Sequence, residues 1–259
     1  MKVLLCAFHQ AGCHALKALH ERGHDVLVAT HPCPPDVPSL AELAERLDIP
    51  ATEADPRRLR GIAADFTPQV ICSVYYRHVL PEDILRLAPW GAYNFHPSLL
   101  PRHRGSFSAP WAILDGDRHT GVTCHHMTSK LDAGDIVDQI VIPVHEGETG
   151  KSLYSRLVDA AAELFARVLD RIVDGPLPGR AQRGPASFHR REVPYDGIIN
   201  PEWPRNYVER FIRAFDFPPY PPAGVIVGGV RHPVVTLEQY DALMGRRVGA
   251  SCTTSASEN

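Results

Sequence analysis

The sequence predicts an α/β fold: a mostly parallel sheet with helices on both faces, followed by a small C-terminal subdomain. Apolar runs of strand length alternate with amphipathic segments of helical period along the first two thirds of the chain. The apolar runs are continuous, as expected for strands that are covered on both faces. With 259 residues, of which 44% are hydrophobic and 22% charged, the chain can bury a large core.

The first half of the chain alternates strand and helix candidates. The predicted elements are a strand at residues 2–8, a helix at 12–24, a strand at 25–31, a helix at 39–50, a strand at 69–76 and a short helix at 81–91. The strand candidates are apolar runs such as KVLLCAF, and the helix candidates repeat apolar residues three or four apart. Pro50 ends the second helix, Pro81 begins the third and Gly91 follows it, which are typical helix boundaries.

The second half supplies two more strands, the longest helix and then a Gly/Pro-rich break. The predicted elements are strands at residues 120–128 and 135–144, a helix at 151–175, and short strands at 223–229 and 232–240. Apolar residues recur at helical spacing from Leu153 to Ile172. The break at residues 175–186 divides the chain into predicted domains at 1–185 and 186–259.

The composition excludes several partners and suggests a compartment. A formal net charge of -3 provides no basic field for nucleic acid or an anionic membrane surface. The six cysteines show no CxxC pair and no zinc-type spacing, so we expect reduced thiols. No run approaches the roughly 20 apolar residues of a bilayer span, and the N-terminus lacks a signal-peptide cleavage site. We therefore predict a cytoplasmic protein without nucleic-acid or membrane partners.

Common nucleotide-binding and hydrolase motifs are absent from the sequence. The turn after the first strand, FHQAGCHAL, contains only Gly12, whereas a dinucleotide fingerprint requires GxGxxG. There is no phosphate loop of the form GxxxxGKS/T and no GxSxG nucleophile elbow. The sequence therefore argues against NAD or FAD binding, P-loop nucleotidase activity and the commonest type of serine hydrolase.

Fourteen histidines leave metal binding as a weaker alternative. The histidines that could converge on one site are His96, His103, His125 and His126. No HExxH or comparable ligand spacing supports such a site. His125 and His126 are adjacent on a predicted strand, so their side chains point to opposite faces and cannot both enter it. We predict no metal.

The stretch most informative about chemistry is GAYNFHPSLLPRHRG, residues 91–105. Asn94 and His96 lie two apart on a predicted strand, so both side chains point to the same side. A proline follows His96 and marks a strand end, where ligands bind in open parallel sheets. Asp132 follows another strand and precedes Gly134, where a tight turn can direct its carboxylate toward His96. These groups suit an acyl transfer with a developing oxyanion, although a structural histidine is equally compatible with the residue types.

The segments NFHPSLLPRHRG and LDAGDI resemble the signature of the folate-dependent formyltransferases. That family includes glycinamide ribonucleotide formyltransferase, methionyl-tRNA formyltransferase and the nucleotide-sugar N-formyltransferases. The resemblance extends to about residue 235, through SVYYRHVLPEDILRLAPWGAYNFH, GDRHTGVTCHHM, FHRREVPYDGIIN and FIRAFDFPPYPPA. It is closest to the amino-sugar enzymes, including the formyltransferase domain of the bifunctional aminoarabinose-modifying enzyme.

The resemblance implies a Rossmann-like sheet with a C-terminal subdomain, and we also expect a homodimer. It implies that Asn94 and His96 stabilise the tetrahedral oxyanion, that His96 also handles the proton, and that Asp132 raises the pKa of His96. It implies 10-formyltetrahydrofolate as cofactor, with a pterin pocket lined by His78, Val79, Leu80, Thr128, Ser129, Lys130 and Leu131. After RHRG the closest relatives carry a folate-contacting arginine. This chain has Ser106 there, and Arg104 is the candidate to replace the contact.

The implied reaction transfers the formyl group to the primary amine of a nucleotide-linked amino sugar. The alternatives are methionyl-tRNA or another small-molecule amine as acceptor and, outside this class, a non-catalytic binding protein. Residues 201–259 contain six arginines and six acidic residues, so they lack the basic face of the methionyl-tRNA enzymes. The glycinamide ribonucleotide enzymes resemble only the first domain, whereas REVPYDGIINPEW and RAFDFPPYPP are most similar to the sugar enzymes.

Overall fold

A seven-stranded sheet forms the centre of the protein in a computed structural model, which describes residues 1–34 and 37–245. The described residues form eleven strands, of which β6 with β9 and β10 with β11 form two small separate sheets. The strands are β1 (Lys2–Ala7), β2 (Asp25–Ala29), β3 (Ala51–Thr52), β4 (Val70–Val74), β5 (Ala92–His96), β6 (Arg104–Gly105), β7 (His119–His126), β8 (Ile136–Pro143), β9 (Phe188–His189), β10 (Gly224–Val227) and β11 (Val230–Pro233). The order across the central sheet is β3-β2-β1-β4-β5-β7-β8. β1 to β5 pair in parallel, whereas β7 is antiparallel to both β5 and β8. The predicted mostly parallel α/β sheet is confirmed.

Helices cover both faces of this sheet. They are α1 (His9–Glu21), α2 (Leu40–Arg46), α3 (Pro56–Phe66), α4 (Glu82–Leu85), α5 (Ser108–Leu114), α6 (Gly150–Ile172), α7 (Arg205–Ala214) and α8 (Leu237–Leu243). Successive residues of β1 point to opposite faces, so Val3 and Leu5 join the apolar cluster beneath α1 and α6. Leu4 and Cys6 join a second cluster beneath α3 and α4. This two-sided burial explains why the strand sequences are continuously apolar.

The predicted strands and helices of residues 1–175 are all present, although α4 is shorter than predicted. The helices α3, α5 and α7 and the short strands β3, β6 and β9 were not predicted from the sequence. One strand prediction was wrong in part: residues 232–240 contain the end of β11 and the start of α8. The Thr236 side chain accepts a hydrogen bond from the Gln239 N–H and caps α8, so the chain turns into a helix there.

Residues after the Gly/Pro-rich break pack onto the elements before it. Val208, Phe211 and Tyr240 belong to the same apolar cluster as Leu157 of α6. The division into domains at 1–185 and 186–259 stays a prediction, and residues 246–259 lie outside the described residues. Across the described ranges, no helix is both long and apolar enough to cross a membrane.

The segment after β5 brings distant parts of the chain to the carboxyl end of the sheet. β5 pairs with β7 so that Asn94 lies opposite His125 and His96 opposite Thr123. The chain then loops back through β6, which pairs in parallel with β9 from beyond the Gly/Pro-rich break. These two pairings build the candidate site.

Candidate active site

Asn94 and His96 project from β5 toward one carboxylate, that of Asp132. The Asn94 Nδ2 atom lies 3.3 Å from Asp132 Oδ1, and His96 Nδ1 lies 3.5 Å from Asp132 Oδ2. His96 and Asp132 are each only 5% exposed, while Asn94 is partly exposed. The three residues predicted from the sequence as catalytic therefore lie together, with Asn94 on the accessible side.

Asp132 is held by the backbone of two neighbouring segments. It has a left-handed φ of 50°, and Gly134 passes so close to the strand that a Cβ atom there would lie 1.9 Å from the His126 carbonyl oxygen. The Gly105 N–H donates to Asp132 Oδ2 at 2.8 Å. The Gln182 amide donates to the carbonyl oxygens of Asp132 and Gly134, both at 2.8 Å. The carboxylate is thus fixed from the turn, from β6 and from the segment beyond α6.

His125 also belongs to the site, although the sequence pointed to it only as a possible metal ligand. Its Nδ1 atom lies 2.8 Å from the His126 carbonyl oxygen and carries a hydrogen toward it. Its Nε2 atom lies 3.2 Å from Asn94 Nδ2 and 3.4 Å from Asp132 Oδ1. The His126 ring packs beside Tyr93 instead, so the prediction that the two histidines face opposite sides is confirmed. Only the antiparallel pairing of β5 and β7 places His125 beside Asn94, and the sequence does not display that pairing.

The tautomer of His96 is set by a backbone carbonyl. His96 Nε2 lies 2.7 Å from the His103 carbonyl oxygen, so this nitrogen carries a hydrogen and Nδ1 faces Asp132. Burial lowers the pKa of His96 below its ordinary value, and the Asp132 carboxylate only partly opposes that effect. Asp132 thus raises the pKa of His96 as expected, but burial lowers it by more, so the net shift is downward.

Asp132 itself is ionised at neutral pH. Burial alone would raise the pKa of Asp132, but its interactions with His96 and His125 and the hydrogen bond from the Gly105 N–H hold that pKa well below its ordinary value. An ionised carboxylate thus lies beside a neutral imidazole that can accept a proton at Nδ1, with an amide donor next to both. This arrangement can move a proton while charge develops on a carbonyl oxygen.

The predicted cofactor-binding residues form two segments, one after β4, which pairs with β5, and one that leads directly into Asp132. Those with exposed side chains are His78, Val79, Thr128, Ser129, Lys130 and Leu131. Leu80 is only 2% exposed and packs in the core, so its side chain is not accessible to a ligand. The Thr128 hydroxyl accepts from the Lys130 N–H and donates to the Lys130 carbonyl, which closes the turn leading to Asp132.

Arg104, the candidate to replace the missing folate contact, is already engaged within the protein. Its guanidinium donates to Gln182 Oε1 at 3.2 and 2.6 Å. Because the Gln182 amide in turn holds the Asp132 turn, Arg104 supports the carboxylate indirectly. Ser106 donates its N–H to the His189 carbonyl at 3.0 Å and joins β6 to β9. Within the described part of the chain, no group of three or more His, Cys, Asp or Glu side chains could hold a metal ion.

Several known proteins are similar to this chain in sequence or in structure. Residues 7–169 match the family model described as formyl transferase. The chain is 40% identical over 191 residues to a GDP-perosamine N-formyltransferase of Brucella melitensis, an alignment covering 74% of this chain and 73% of that protein. A 4-N formyltransferase from Francisella tularensis has a TM-score of 0.75 at 20% identity, over 90% of this chain and 96% of that one.

A further structural relative is the N-formyltransferase from Helicobacter canadensis, solved in complex with folinic acid and dTDP-3-aminofucose. It has a TM-score of 0.72 at 19% identity, over 89% of this chain and 86% of that one. At these identities the two structural likenesses show a shared fold. Two findings show the family as well: the family model spans more than half of the chain, and the chain is 40% identical to a curated relative. This chain belongs to the formyl transferase family.

Proposed function

We propose that this protein transfers the formyl group of 10-formyltetrahydrofolate to the primary amine of a nucleotide-linked amino sugar. The cluster of Asn94, His96 and Asp132 at the end of β5 carries the proposal, because it joins a proton acceptor, an amide donor and a fixed carboxylate. The 40% identity to a GDP-perosamine N-formyltransferase supports an amino sugar as acceptor. Cytoplasmic location and a homodimeric state are part of the proposal, and sedimentation equilibrium of the purified protein tests the latter.

A reduced folate as formyl carrier is supported by the folinic acid bound to the Helicobacter canadensis enzyme. The two exposed segments beside the site offer apolar surface for a flat ring: Val79 is 62% exposed and Leu131 is 44% exposed. A flat apolar ring that covers these side chains removes their surface from water, which favours binding. We assign the pterin ring to these two segments and the formyl carbon to the space in front of Asn94.

The chemical step uses His96 as a proton carrier. The neutral amine attacks the formyl carbon, a C–N bond forms, and negative charge develops on the formyl oxygen. His96 Nδ1 accepts the amine proton, and the resulting imidazolium is stabilised by ionised Asp132. The hydrogen bonds from the Asn94 amide are long, at 3.2 and 3.3 Å, so the amide can exchange one of them for the oxyanion. Collapse breaks the bond to the folate nitrogen, which receives the proton from His96.

A cationic cluster lies where the strand order reverses, between β1 and β4, the usual ligand position in an open α/β sheet. The Arg77 guanidinium lies 4.2 Å from the centre of the Phe8 ring, and Arg191 donates to the Arg77 carbonyl. His9 and His31 each have a pKa lowered to about 4, by burial and then by the neighbouring cationic groups. His9 and His31 are therefore neutral at pH 7, and the positive charge here comes from Arg77 and Arg191. This pair of arginines is suited to the diphosphate of a nucleotide sugar.

The acceptor is tested by mass spectrometry of a substrate panel. UDP-, GDP- and dTDP-linked 3-amino and 4-amino sugars are each incubated with enzyme and 10-formyltetrahydrofolate, with glycinamide ribonucleotide alongside. We expect formylation of at least one nucleotide sugar and none when His96→Ala replaces the wild type. Formylation of glycinamide ribonucleotide with no transfer to any nucleotide sugar would refute the proposal.

Arg77→Met is expected to raise KM for the nucleotide sugar roughly tenfold or more, because a charged hydrogen bond contributes about 1.5–3 kcal/mol. Methionine keeps an apolar side chain over Phe8 but removes the charge. Turnover at saturating substrate should change little, since the contacts of Arg77 are with Phe8, His31 and Arg191 and not with the residues assigned to the chemical step. Arg58→Met, on the exposed first turn of α3, is the matched control with an unchanged KM. An unchanged KM in Arg77→Met would place the diphosphate elsewhere.

A further inference from the structure

Three polar side chains outside the cluster described above form a continuous hydrogen-bonded chain behind His96. His103 is only 1% exposed. Its Nε2 lies 2.7 Å from Asp117 Oδ2, and its Nδ1 lies 3.0 Å from His189 Nε2. The His189 ring stacks on Trp111, with ring centres 4.2 Å apart and planes 12° apart. Asp117 lies in the turn before β7 and His189 in β9, so these hydrogen bonds join three separate segments of the sequence.

The direction of these hydrogen bonds follows from their ends. Burial alone would raise the pKa of Asp117, but hydrogen bonding and charge interaction with His103 and Arg102 lower it, so this carboxylate is an ionised acceptor. His103 Nε2 therefore carries the hydrogen. The pKa of His189 is lowered, first by burial and then by His103, so His189 is neutral. When the His103 ring carries a single hydrogen, that hydrogen is on Nε2, and the His189 Nε2–H then donates to His103 Nδ1.

The backbone of His103 connects this chain to the active site. The His103 carbonyl accepts the hydrogen of His96 Nε2 at 2.7 Å. His103 has a left-handed φ of 54°, a conformation that persists in a non-glycine residue only where its surroundings impose it. Its N–H donates to Ser187 Oγ at 2.7 Å, and two residues later the Gly105 N–H donates to Asp132. Whatever fixes His103 thus fixes the donors and acceptors that orient both His96 and Asp132.

We infer that Asp117, His103 and His189 are positioning residues that hold the His103 carbonyl in place and thereby keep His96 in the tautomer with Nδ1 free. These three residues, called the relay below, act through His96 and touch no substrate. The inference rests on the proposed catalytic role of His96. Neutral imidazole has two tautomers, and only the one with the hydrogen on Nε2 leaves Nδ1 able to accept the amine proton. Without the relay, His96 populates both tautomers and the productive fraction falls.

The test compares two substitutions of His189 in the full chain labelled with nitrogen-15 at histidine. His189→Phe keeps a ring stacked on Trp111 and removes the N–H donor, whereas His189→Gln keeps an N–H donor. We expect kcat for formyl transfer to fall about tenfold or more in His189→Phe and less than about threefold in His189→Gln, with KM nearly unchanged. In nuclear magnetic resonance spectra, the Nε2–H tautomer of His96 should be retained in the glutamine variant and mixed in the phenylalanine variant.

His119→Phe serves as the control, because His119 is exposed and lines the same cavity of about 310 Å³ as His103 and Asp117 without joining the relay. A retained His96 tautomer in His189→Phe would overturn the inference, and so would equal losses of kcat in the two His189 variants. If His189→Phe does not fold, Asp117→Asn is measured in the same way, with a mixed tautomer expected. If the wild type formylates no amine, the proposed function fails, while the tautomer measurement still decides the relay.

Discussion

Replacing Asp132 with asparagine is expected to lower kcat by about 10²- to 10³-fold while leaving the melting temperature nearly unchanged. Asparagine has the same shape and tolerates the left-handed φ of 50° at this position. Its amide oxygen can still accept the Gly105 N–H. What is lost is the negative charge that stabilises the His96 imidazolium once the amine has given up its proton. Steady-state formyl transfer and thermal unfolding, measured on the same preparations, test this result.

The same variant should lower the pKa of His96 further. Burial already lowers that pKa and the Asp132 carboxylate opposes the effect, so removing the carboxylate leaves burial less opposed. A histidine titration followed by nuclear magnetic resonance measures the shift. Asp135→Asn, an exposed carboxylate three residues along the same turn, is the control and should leave both kcat and the titration unchanged. If kcat of Asp132→Asn stays within about tenfold of the wild-type value, the role assigned to this carboxylate is contradicted.

The grouping of Asn94, His96 and Asp132 could be predicted because the strand pattern and one family signature point to these residues. Asn94 and His96 share a face by the two-residue repeat of a strand. Asp132 follows β7, which is antiparallel to β5 and ends beside Tyr93, so the turn before β8 brings its carboxylate to His96. His125 and Gln182 could not be found in this way. His125 reaches Asn94 through antiparallel pairing, and Gln182 reaches the Asp132 turn from 50 residues away. Contacts of that kind are properties of the assembled fold, with no local sequence pattern.

The spacing of apolar residues along the sequence explains which helices and strands were predicted. Continuous apolar runs and the long repeat of α6 have strong patterns and were identified. The α3 helix has few buried apolar residues and was missed, although Asp55 caps it and Pro56 begins it. The downward shift of the His96 pKa also could not be predicted. The sequence shows the neighbouring carboxylate but not that the imidazole is only 5% exposed.

Gly105→Ala is expected to impair both activity and stability, because the β6–β9 contact leaves no room for a side chain. Gly105 has a φ of +88°, and a Cβ atom there would lie 2.1 Å from the His189 carbonyl oxygen. A backbone atom cannot move aside as a side chain can, so β6 must separate from β9. The Gly105 N–H then leaves Asp132, and the neighbouring His103 carbonyl is displaced from His96. We expect kcat to fall by about 10²-fold or more.

Gly105→Ala lowers stability for two reasons, the backbone conformation and the steric clash, and a substitution at a second glycine measures the first of them alone. A left-handed φ makes alanine unfavourable by about 1 kcal/mol, and a steric clash in a packed contact adds about 1–3 kcal/mol. Gly184 has a similar φ of +98°, but a Cβ atom there would meet no atom within 4 Å. Gly184→Ala should therefore lower the melting temperature by only about 2–4 °C and leave kcat unchanged, whereas Gly105→Ala should lower it by roughly 5–10 °C. Equal shifts in both variants, with kcat preserved, would show that the β6–β9 contact does not hold the site together.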